Sequence, residues 1–198
     1  MLLVFDLDET LFSRYFRLGN PITSHVATCS KRSTYYWINQ DAWKVIIPEV
    51  YKSHDIAILT SSICHSKEQI KDAVFEGLGC QEGDFTNMTF ISGNEYGDRN
   101  TPKGAKIIDL KEKNVGVFSK YELPEMLLID DSMDHVQSAQ SVGIPCVQAG
   151  KHNYFHDILD FVGIELNLPS YDTYRLGWNM EERRVTIEET SAQESCLL

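Results

Sequence analysis

Acidic residues stand directly after two strongly apolar segments of this sequence. Asp6 and Asp8 follow an apolar run at the start of the chain, and Asp130 and Asp131 follow another at 126–129. Carboxylates that lie close together raise one another's pKa, and a shared cation relieves their repulsion. Ligand sets made of oxygen alone favour Mg²⁺ over zinc. If the fold brings the two segments together, these residues predict a magnesium site.

The elements predicted around these residues alternate between strands and helices. Five apolar segments are predicted strands: residues 2–5, 56–59, 89–91, 126–129 and 144–148. Helices are predicted at 41–52, from 66 to about 79, from 103 onward, from the fourth strand to 143, and at 155–162. This alternation predicts an α/β protein with a Rossmann-like three-layer α/β/α fold, a central parallel sheet and right-handed crossovers.

A parallel sheet determines where the candidate residues meet, because ligands bind such folds at the carboxyl ends of the strands. Asp6, Asp130 and Asp131 all stand at predicted strand ends. Thr60 follows the predicted strand 56–59 and adds a hydroxyl. Three carboxylates and one hydroxyl are therefore expected at a single edge of the sheet.

These residues resemble the motifs of the haloacid dehalogenase (HAD) superfamily. The segment DLDETL at 6–11, directly after a strand, resembles the first motif. Thr60 resembles the second motif, and Lys103, at a predicted helix start, resembles the third. The segment LLIDD at 127–131 resembles the fourth. The four stand in the family's order, and the resemblance covers residues 1 to about 150.

The resemblance implies a magnesium-dependent phosphatase with an aspartate nucleophile. Asp6 would attack phosphorus and form an aspartyl-phosphate, and Asp8 would be the general acid and base. Asp6, the backbone carbonyl of Asp8, and Asp130 would hold Mg²⁺. Asp131 would lie nearby or behind these ligands.

The resemblance also implies that a hydroxyl and a lysine bind the phosphoryl group. Thr60 and Lys103 would bind the phosphoryl oxygens and stabilise charge in the transition state. Lys103 precedes Asp130 by 27 positions, which is longer than in compact members of the family. Lys106 and Lys120 are therefore alternatives for the same role.

A short insert separates the first motif from the helix predicted at 41. Residues 12–40 predict a small β-hairpin flap, since they are too few for a folded cap domain. In this family a minimal cap leaves the site open, and such members often act on phosphoproteins. The insert is basic and aromatic and has no acidic residue, which suits an anionic substrate with a planar ring. Its candidate substrate contacts are Arg14, Arg17, Tyr35 and Trp37.

These features predict a protein phosphatase that favours phosphotyrosine over phosphoserine and phosphothreonine. The closest alternative is a phosphatase of a small metabolite or nucleotide, because the same rings could stack on a base or sugar. An alternative of another class is a non-catalytic phospho-acceptor or binding module. Two-component receivers combine the same residue types, but their phosphorylated Asp lies on a central strand and their acidic pair on the first. That order is the reverse of the one in this sequence.

The net charge, hydropathy and cysteine content of the sequence indicate which partners and which compartment to expect. The net charge of -11 argues against a nucleic-acid partner, which needs clustered Lys and Arg. We expect no membrane span, since no stretch approaches the ~20 apolar residues required, and no signal peptide. The 5 cysteines include no C-x-x-C pair and fit a reducing compartment. We expect a cytoplasmic monomer whose partner is a phosphorylated protein or peptide.

The alternating pattern fades near residue 169. We expect residues 1–169 to form the HAD-like phosphatase domain and residues 170–198 to form an acidic C-terminal extension rich in Glu. Glu-rich C-terminal segments resemble the secretion signals of bacterial type IV effectors. That resemblance predicts delivery into a host cell as an alternative location.

Overall fold

The computed structural model describes residues 1–13, 25–26, 35–61, 66–93, 95, 100–151 and 153–168. The strands, in chain order, are β1 (Leu2–Phe5), β2 (Phe12–Ser13), β3 (His25–Val26), β4 (Tyr35–Trp37), β5 (Asp55–Leu59), β6 (Thr89–Ile91), β7 (Met126–Asp130) and β8 (Cys146–Gln148). The helices are α1 (Gln40–Tyr51), α2 (Lys67–Leu78), α3 (Lys103–Glu112), α4 (Met133–Ser141) and α5 (Tyr154–Val162).

Five of these strands form one parallel sheet in the order β6-β5-β1-β7-β8. The chain runs outward from β1 through β5 to β6, and then returns to place β7 on the other side of β1. The order of strands therefore reverses between β1 and β7. In an open parallel sheet this switch point forms the crevice in which ligands bind.

Helices cover both faces of this sheet, because the side chains of a strand alternate between its two faces. Leu3 and Phe5 of β1 belong to a core cluster with residues of α1, α2 and α5. Leu2 and Val4 belong to a second cluster with residues of α3 and α4. All of β1 is buried, as expected for a central parallel strand. The predicted three-layer α/β/α fold is confirmed.

The predicted helix boundaries follow from local chemistry. At the start of α2, the Ser66 side chain accepts a hydrogen bond from the backbone of Gln69, whose side chain accepts one in return from the Ser66 backbone. This reciprocal cap satisfies two donors that the helix cannot pair internally. The helix ends at Gly79, which adopts a left-handed conformation with φ 70°. Glycine adopts that conformation without steric cost.

The insert after β1 contributes a second, smaller sheet. Strands β2, β4 and β3 lie side by side in that order, and both pairs are antiparallel. The flap is therefore a three-stranded sheet, one strand more than the predicted hairpin. Residues 14–24 and 27–34 of the flap lie outside the described residues.

One flap side chain, Trp37, is part of the main core. It is 3% exposed, and its ring meets Phe12 edge-on with centroids 4.6 Å apart. A Cβ atom built on Gly77 of α2 would lie 2.0 Å from Trp37 Nε1, so the indole occupies the space that a larger residue would need. Trp37 therefore anchors the flap to α2.

Replacing Gly77 with Ala is expected to lower the free energy of unfolding. The added methyl group collides with a buried, rigid ring, and overpacking of this kind costs about 1–3 kcal/mol. That net loss is expected even though Ala is the better helix former. Urea denaturation should show a lower midpoint for Gly77→Ala than for the control Gly83→Ala, where nothing lies within 4 Å of the added Cβ. Equal midpoints for the two variants would contradict the close packing of Trp37.

Two further expectations concern membrane-spanning helices and the C-terminal extension. Within the residues that the structure describes, no helix is long and apolar enough to cross a membrane. The predicted acidic extension, residues 170–198, lies outside the described residues. The boundary at 169 therefore stays a prediction.

Candidate active site

Asp6 and Asp130 meet at the switch point of the sheet. Phe5 of β1 is paired with Ile129 of β7, so the next residue of each strand reaches the same edge. The Asp6 backbone N–H donates to the carbonyl of Ile129 at 2.9 Å and continues this pairing. The Ser132 backbone N–H donates to Asp130 Oδ1 at 2.9 Å and orients that carboxylate. Both carboxylates are buried.

Lys103 binds both of these carboxylates. It is the first residue of α3 and is 0% exposed. Its Nζ donates to Asp6 Oδ1, and to Asp130 Oδ2 at 2.6 Å. Gly104 allows this approach, because a Cβ at that position would lie 2.5 Å from the carbonyl oxygen of Ser138 on α4. The absence of a side chain lets α3 pack against α4, which directly follows the acidic pair.

The other two candidate lysines each contact a residue other than the acidic pair Asp6 and Asp130. Lys106, one helical turn after Lys103, donates from Nζ to Ser61 Oγ at 3.0 Å. Lys120 lies 3.3 Å from Asp55 Oδ2, and Asp55 begins β5, at the opposite edge of the sheet. The geometry therefore favours Lys103 as the lysine of the third motif.

Burial and crowding of charge change the pKa values at this edge. Burial raises the pKa of Asp6 well above its usual value, as do the nearby charges of Asp130, Asp131 and Asp8, while Lys103 lowers it. Burial and the charge of Asp130 raise the pKa of Asp131 to about 7. One ammonium is thus shared among several carboxylates, which leaves negative charge that a further cation would neutralise.

The pKa of Lys103 moves in the direction that keeps it charged. Burial acts to lower this pKa, but the charges and hydrogen bonds of Asp130 and Asp6 outweigh burial and raise it. The lysine is therefore a permanent cation beside the candidate nucleophile.

The acidic residues fit a magnesium ion. Asp6, Asp130 and Asp131 can each offer one carboxylate oxygen, and these atoms lie within 4.8 Å of one another. Asp8 Oδ1 is buried and has no hydrogen-bond partner among the described residues. Hard oxygen donors gathered in this way suit Mg²⁺.

Thr60 lies beside the second aspartate. Its backbone N–H donates to the carbonyl of Ile91 at 3.1 Å, which continues the pairing of β5 with β6. Its Oγ1 donates to Asp8 Oδ2 at 3.3 Å, and Thr60 is 1% exposed while Asp8 is partly exposed. The structure thus brings together all six residues predicted at the site: Asp6, Asp8, Thr60, Lys103, Asp130 and Asp131.

The structure describes only some of the flap residues that were predicted to contact substrate. Trp37 is a core side chain that is 3% exposed, so the structure gives this ring a packing role, and its contact with substrate stays a prediction. The backbone of Tyr35 lies in β4, but its side chain is outside the described part of the chain. Arg14 and Arg17 are also outside it.

Three residues beside the site carry no sequence signal that identifies them. Gln148, in β8, donates from Nε2 to the backbone carbonyl of Asp131 at 3.1 Å and holds that residue in place. Ser61 accepts the hydrogen bond from Lys106. Burial lowers the pKa of His135 on α4, as does the charge of Lys103. These residues join the site only through the packing of α3, α4 and β8.

The geometry and the family comparison agree on a class. A buried lysine between two strand-end aspartates, at the switch point of a parallel sheet, is the arrangement expected of a HAD-superfamily phosphatase. The family model of NLI interacting factor-like phosphatases matches residues 1–157, and the chain belongs to this family. The predicted membership of the HAD superfamily and the predicted phosphatase class are thereby confirmed. No curated protein shows significant similarity to the chain.

Three solved structures align with the chain at low sequence identity, and the first of them has a TM-score above 0.5. An uncharacterized protein from Corynebacterium glutamicum is 12% identical with a TM-score of 0.51, over 84% of this chain and 98% of that one. A predicted HAD-like family hydrolase from Porphyromonas gingivalis is 12% identical with a TM-score of 0.43, over 62% of this chain and 57% of that one. A hypothetical protein from Xanthomonas campestris is 15% identical with a TM-score of 0.41, over 79% and 68%.

Proposed function

We propose that this phosphatase hydrolyses phosphomonoesters with Mg²⁺, through an aspartyl-phosphate on Asp6, and that its substrates are phosphorylated proteins. The observation that carries the proposal is the buried contact of Lys103 with both Asp6 and Asp130 at the carboxyl edge of the sheet. A carboxylate held beside a permanent cation, in a site shielded from water, is suited to attack an anionic phosphoryl group.

In the first half of the reaction, a carboxylate oxygen of Asp6 forms a bond to phosphorus while the bond to the leaving oxygen breaks. Asp8 gives its proton to that leaving oxygen. One oxygen of Asp8 accepts from Thr60, and the other has no partner within the described part of the chain. This carboxyl group is thus oriented and still has an oxygen for proton transfer.

In the second half, water attacks the phosphorus of the aspartyl-phosphate, and Asp8 takes the proton of that water. The bond between phosphorus and Asp6 breaks, which releases inorganic phosphate and restores the carboxylate. Lys103 and Thr60 are placed to stabilise the negative charge on the phosphoryl oxygens in both halves.

Magnesium would be held by Asp6 and Asp130, with Asp131 beside them and the backbone carbonyl of Asp8 as a further ligand. Bound there, the ion would supply Lewis-acid stabilisation of the phosphoryl charge. The raised pKa values of Asp6 and Asp131 support this proposal, since a second cation would offset the crowding of carboxylates.

The small flap supports a macromolecular substrate. Helix α1 begins at Gln40, so the insert is too short to contain a cap domain that would close over a metabolite. The insert carries basic residues and further aromatic residues besides Trp37. Such a flap is compatible with a phosphotyrosine side chain that enters an open site, ahead of phosphoserine or phosphothreonine. A monomer, in the cytoplasm or delivered into a host cell as an effector, stays a prediction.

A panel of substrates with Mg²⁺ tests this function. One peptide synthesised with phosphotyrosine, phosphoserine or phosphothreonine should be compared with a sugar phosphate and a nucleoside monophosphate. We expect the highest kcat/KM for the phosphotyrosine peptide, by about tenfold or more, and loss of turnover when EDTA removes the metal. A preference for the sugar phosphate or the nucleotide would overturn the proposed substrate class. Failure to hydrolyse every compound would overturn the proposed activity.

A further inference from the structure

A second lysine of α3, Lys106, is buried beside the carboxyl end of β5. It is 4% exposed, and its Nζ donates to Ser61 Oγ at 3.0 Å. Burial of an ammonium group is costly unless it forms strong interactions. The four sequence motifs leave this contact without a role once Lys103 is assigned to the phosphoryl group.

Ser61 stands at the edge where the reaction is proposed to occur. It directly follows Thr60, whose hydroxyl contacts the candidate general acid Asp8. Unlike Thr60, which is 1% exposed, Ser61 is partly exposed. Part of Ser61 is therefore accessible to solvent beside this edge of the sheet.

The contact with Lys106 leaves the Ser61 hydroxyl available as a hydrogen-bond donor. A hydroxyl has one hydrogen to donate and lone pairs that accept. An ammonium group is a donor only, so Ser61 Oγ accepts from Lys106 and its own hydrogen points elsewhere. Among the residues that the structure describes, no acceptor of the Ser61 hydrogen lies within hydrogen-bond distance. The adjacent positive charge polarises the hydroxyl and makes it a stronger donor.

The two lysines of α3 contribute positive charge at this edge of the sheet. Burial lowers the pKa of His135, and the charges of Lys103 and Lys106 lower it further, while Asp130 and Asp134 raise it. Both ammonium groups therefore act on the same region, between α3 and the start of α4. Lys103 is paired with Asp6 and Asp130, so the positive charge next to Ser61 is that of Lys106. A donor hydroxyl beside this ammonium group suits a phosphoryl oxygen.

We propose that Ser61, polarised and oriented by Lys106, donates a hydrogen bond to a phosphoryl oxygen of the substrate, in addition to Thr60 and Lys103. Ser61 is a substrate-binding residue in this proposal, and Lys106 is a positioning residue that acts through it. The inference rests on the proposed function, because it concerns phosphate bound at the same site.

The test compares Ser61→Ala with Ser61→Thr, Lys106→Met and the double variant Ser61→Ala/Lys106→Met. Ser61→Ala is expected to lower kcat/KM by roughly 10- to 100-fold, as for the loss of a hydrogen bond to a charged group. The affinity for inorganic phosphate, measured by calorimetry with Mg²⁺, should weaken by a similar factor. Ser61→Thr keeps the hydroxyl and should restore most of the loss. The matched controls are Ser141→Ala, at the end of α4, and Lys113→Met, at the exposed position that directly follows α3.

The double variant shows whether Lys106 acts by positioning Ser61 or contributes to phosphate binding independently of it. If Lys106 acts through Ser61, Lys106→Met should cost little once Ser61 is Ala, so the two losses should not add. Additive losses would overturn the positioning role of Lys106. Thermal denaturation of each variant shows that the protein tested is folded, and Ser61→Thr keeps the hydroxyl that accepts from Lys106 if Ser61→Ala destabilises the protein.

Failure of this inference can be distinguished from failure of the proposed function. If the wild type is active, Asp6→Asn is inactive, and Ser61→Ala equals the wild type in turnover and phosphate affinity, only the inference about Ser61 is overturned. If the wild type hydrolyses nothing, the proposed function is overturned, and the calorimetric affinity for inorganic phosphate still decides the role of Ser61. Equal affinities of the wild type and Ser61→Ala would overturn that role.

Discussion

Replacing Asp6 with Asn is expected to lower Mg²⁺-dependent hydrolysis of an aryl phosphate by at least about a thousandfold. The amide has nearly the same shape as the carboxylate, but it is a far weaker nucleophile towards phosphorus. The wild type should form an acyl phosphate that hydroxylamine cleaves, and Asp6→Asn should form none. Turnover that survives this substitution would remove Asp6 from the role of nucleophile.

The loss in Asp6→Asn should not come from unfolding. Burial and the neighbouring carboxylates raise the pKa of Asp6, which means that the ionised form is disfavoured in the folded protein. An uncharged amide relieves that repulsion, although it weakens the contact with Lys103. We expect a urea midpoint close to that of the wild type in EDTA. A variant that is inactive and also unfolded would not identify the nucleophile, so the midpoint is measured on the same sample.

Asp8→Asn provides the contrasting variant for this experiment. It keeps Asp6 and removes only the proton transfer, so attack on a substrate with a good leaving group can still occur. The second half of the reaction needs a base to activate water and should be slowed more. Trapped acyl phosphate is therefore expected in Asp8→Asn and absent in Asp6→Asn. Loss of the acyl phosphate in both would contradict the separate roles of the two aspartates.

Replacing Lys103 with Met is expected to lower the free energy of unfolding by about 3–5 kcal/mol near pH 8 in EDTA. Met has a similar length and leaves little cavity, so the loss measures the removed charge. Asp6 and Asp130 would be left buried without the ammonium that contacts both. The control is Lys113→Met, at the C-cap of α3, because the pair of Lys113 with Asp109 is largely exposed. An exposed pair of this kind contributes about 0–1 kcal/mol.

The destabilisation of Lys103→Met should depend on pH. Without the ammonium, the pKa of Asp6, already raised by burial, rises further above its unfolded value of about 3.9. The folded variant then binds more protons than the unfolded chain, so its free energy of unfolding falls as pH rises. The deficit relative to the wild type should be smaller near pH 5.5 than near pH 8, and Mg²⁺ should recover part of it at the higher pH. A deficit that grows as pH falls would contradict this account.

The sheet and its acidic edge could be predicted because the chemistry of buried parallel strands is local. A strand covered on both faces must be apolar throughout, so β1 and β7 are visible as uninterrupted apolar runs that stop at an acidic residue. The structure places Leu2–Phe5 in β1 as predicted, and extends the strand predicted at 126–129 by one residue, Asp130. The spacing of the motifs then indicated which side chains share the edge.

The choice among three lysines could not be made from the sequence, because it depends on how α3 packs. Lys103 and Lys106 lie on the same side of one helix, a single turn apart. Which of them reaches the aspartates depends on the depth at which α3 sits against α4. That depth is a consequence of the contact between Gly104 and Ser138, two residues that are distant in the sequence.

The orientation of the flap residues also required the tertiary structure. Alternation along β4 indicates that one face is packed, but it does not identify which element covers that face. In the structure Trp37 packs against Gly77, a residue of α2 that is distant from it in the sequence. The partner of Ser61 was equally invisible, since a serine next to a strand end is common and its contact with Lys106 joins two separate elements.

The α/β class, the edge of the sheet that carries the site and the identity of its acidic residues could all be predicted from the pattern of residues along the chain. These features depend on the burial of each strand and on the residue that ends it. Three features followed from the folded chain: Lys103 binds the aspartates, the Trp37 ring is part of the core, and the Ser61 hydroxyl accepts a hydrogen bond from the buried Lys106. Each of these depends on contacts between elements that are far apart in the chain, where packing and not local pattern selects the partner.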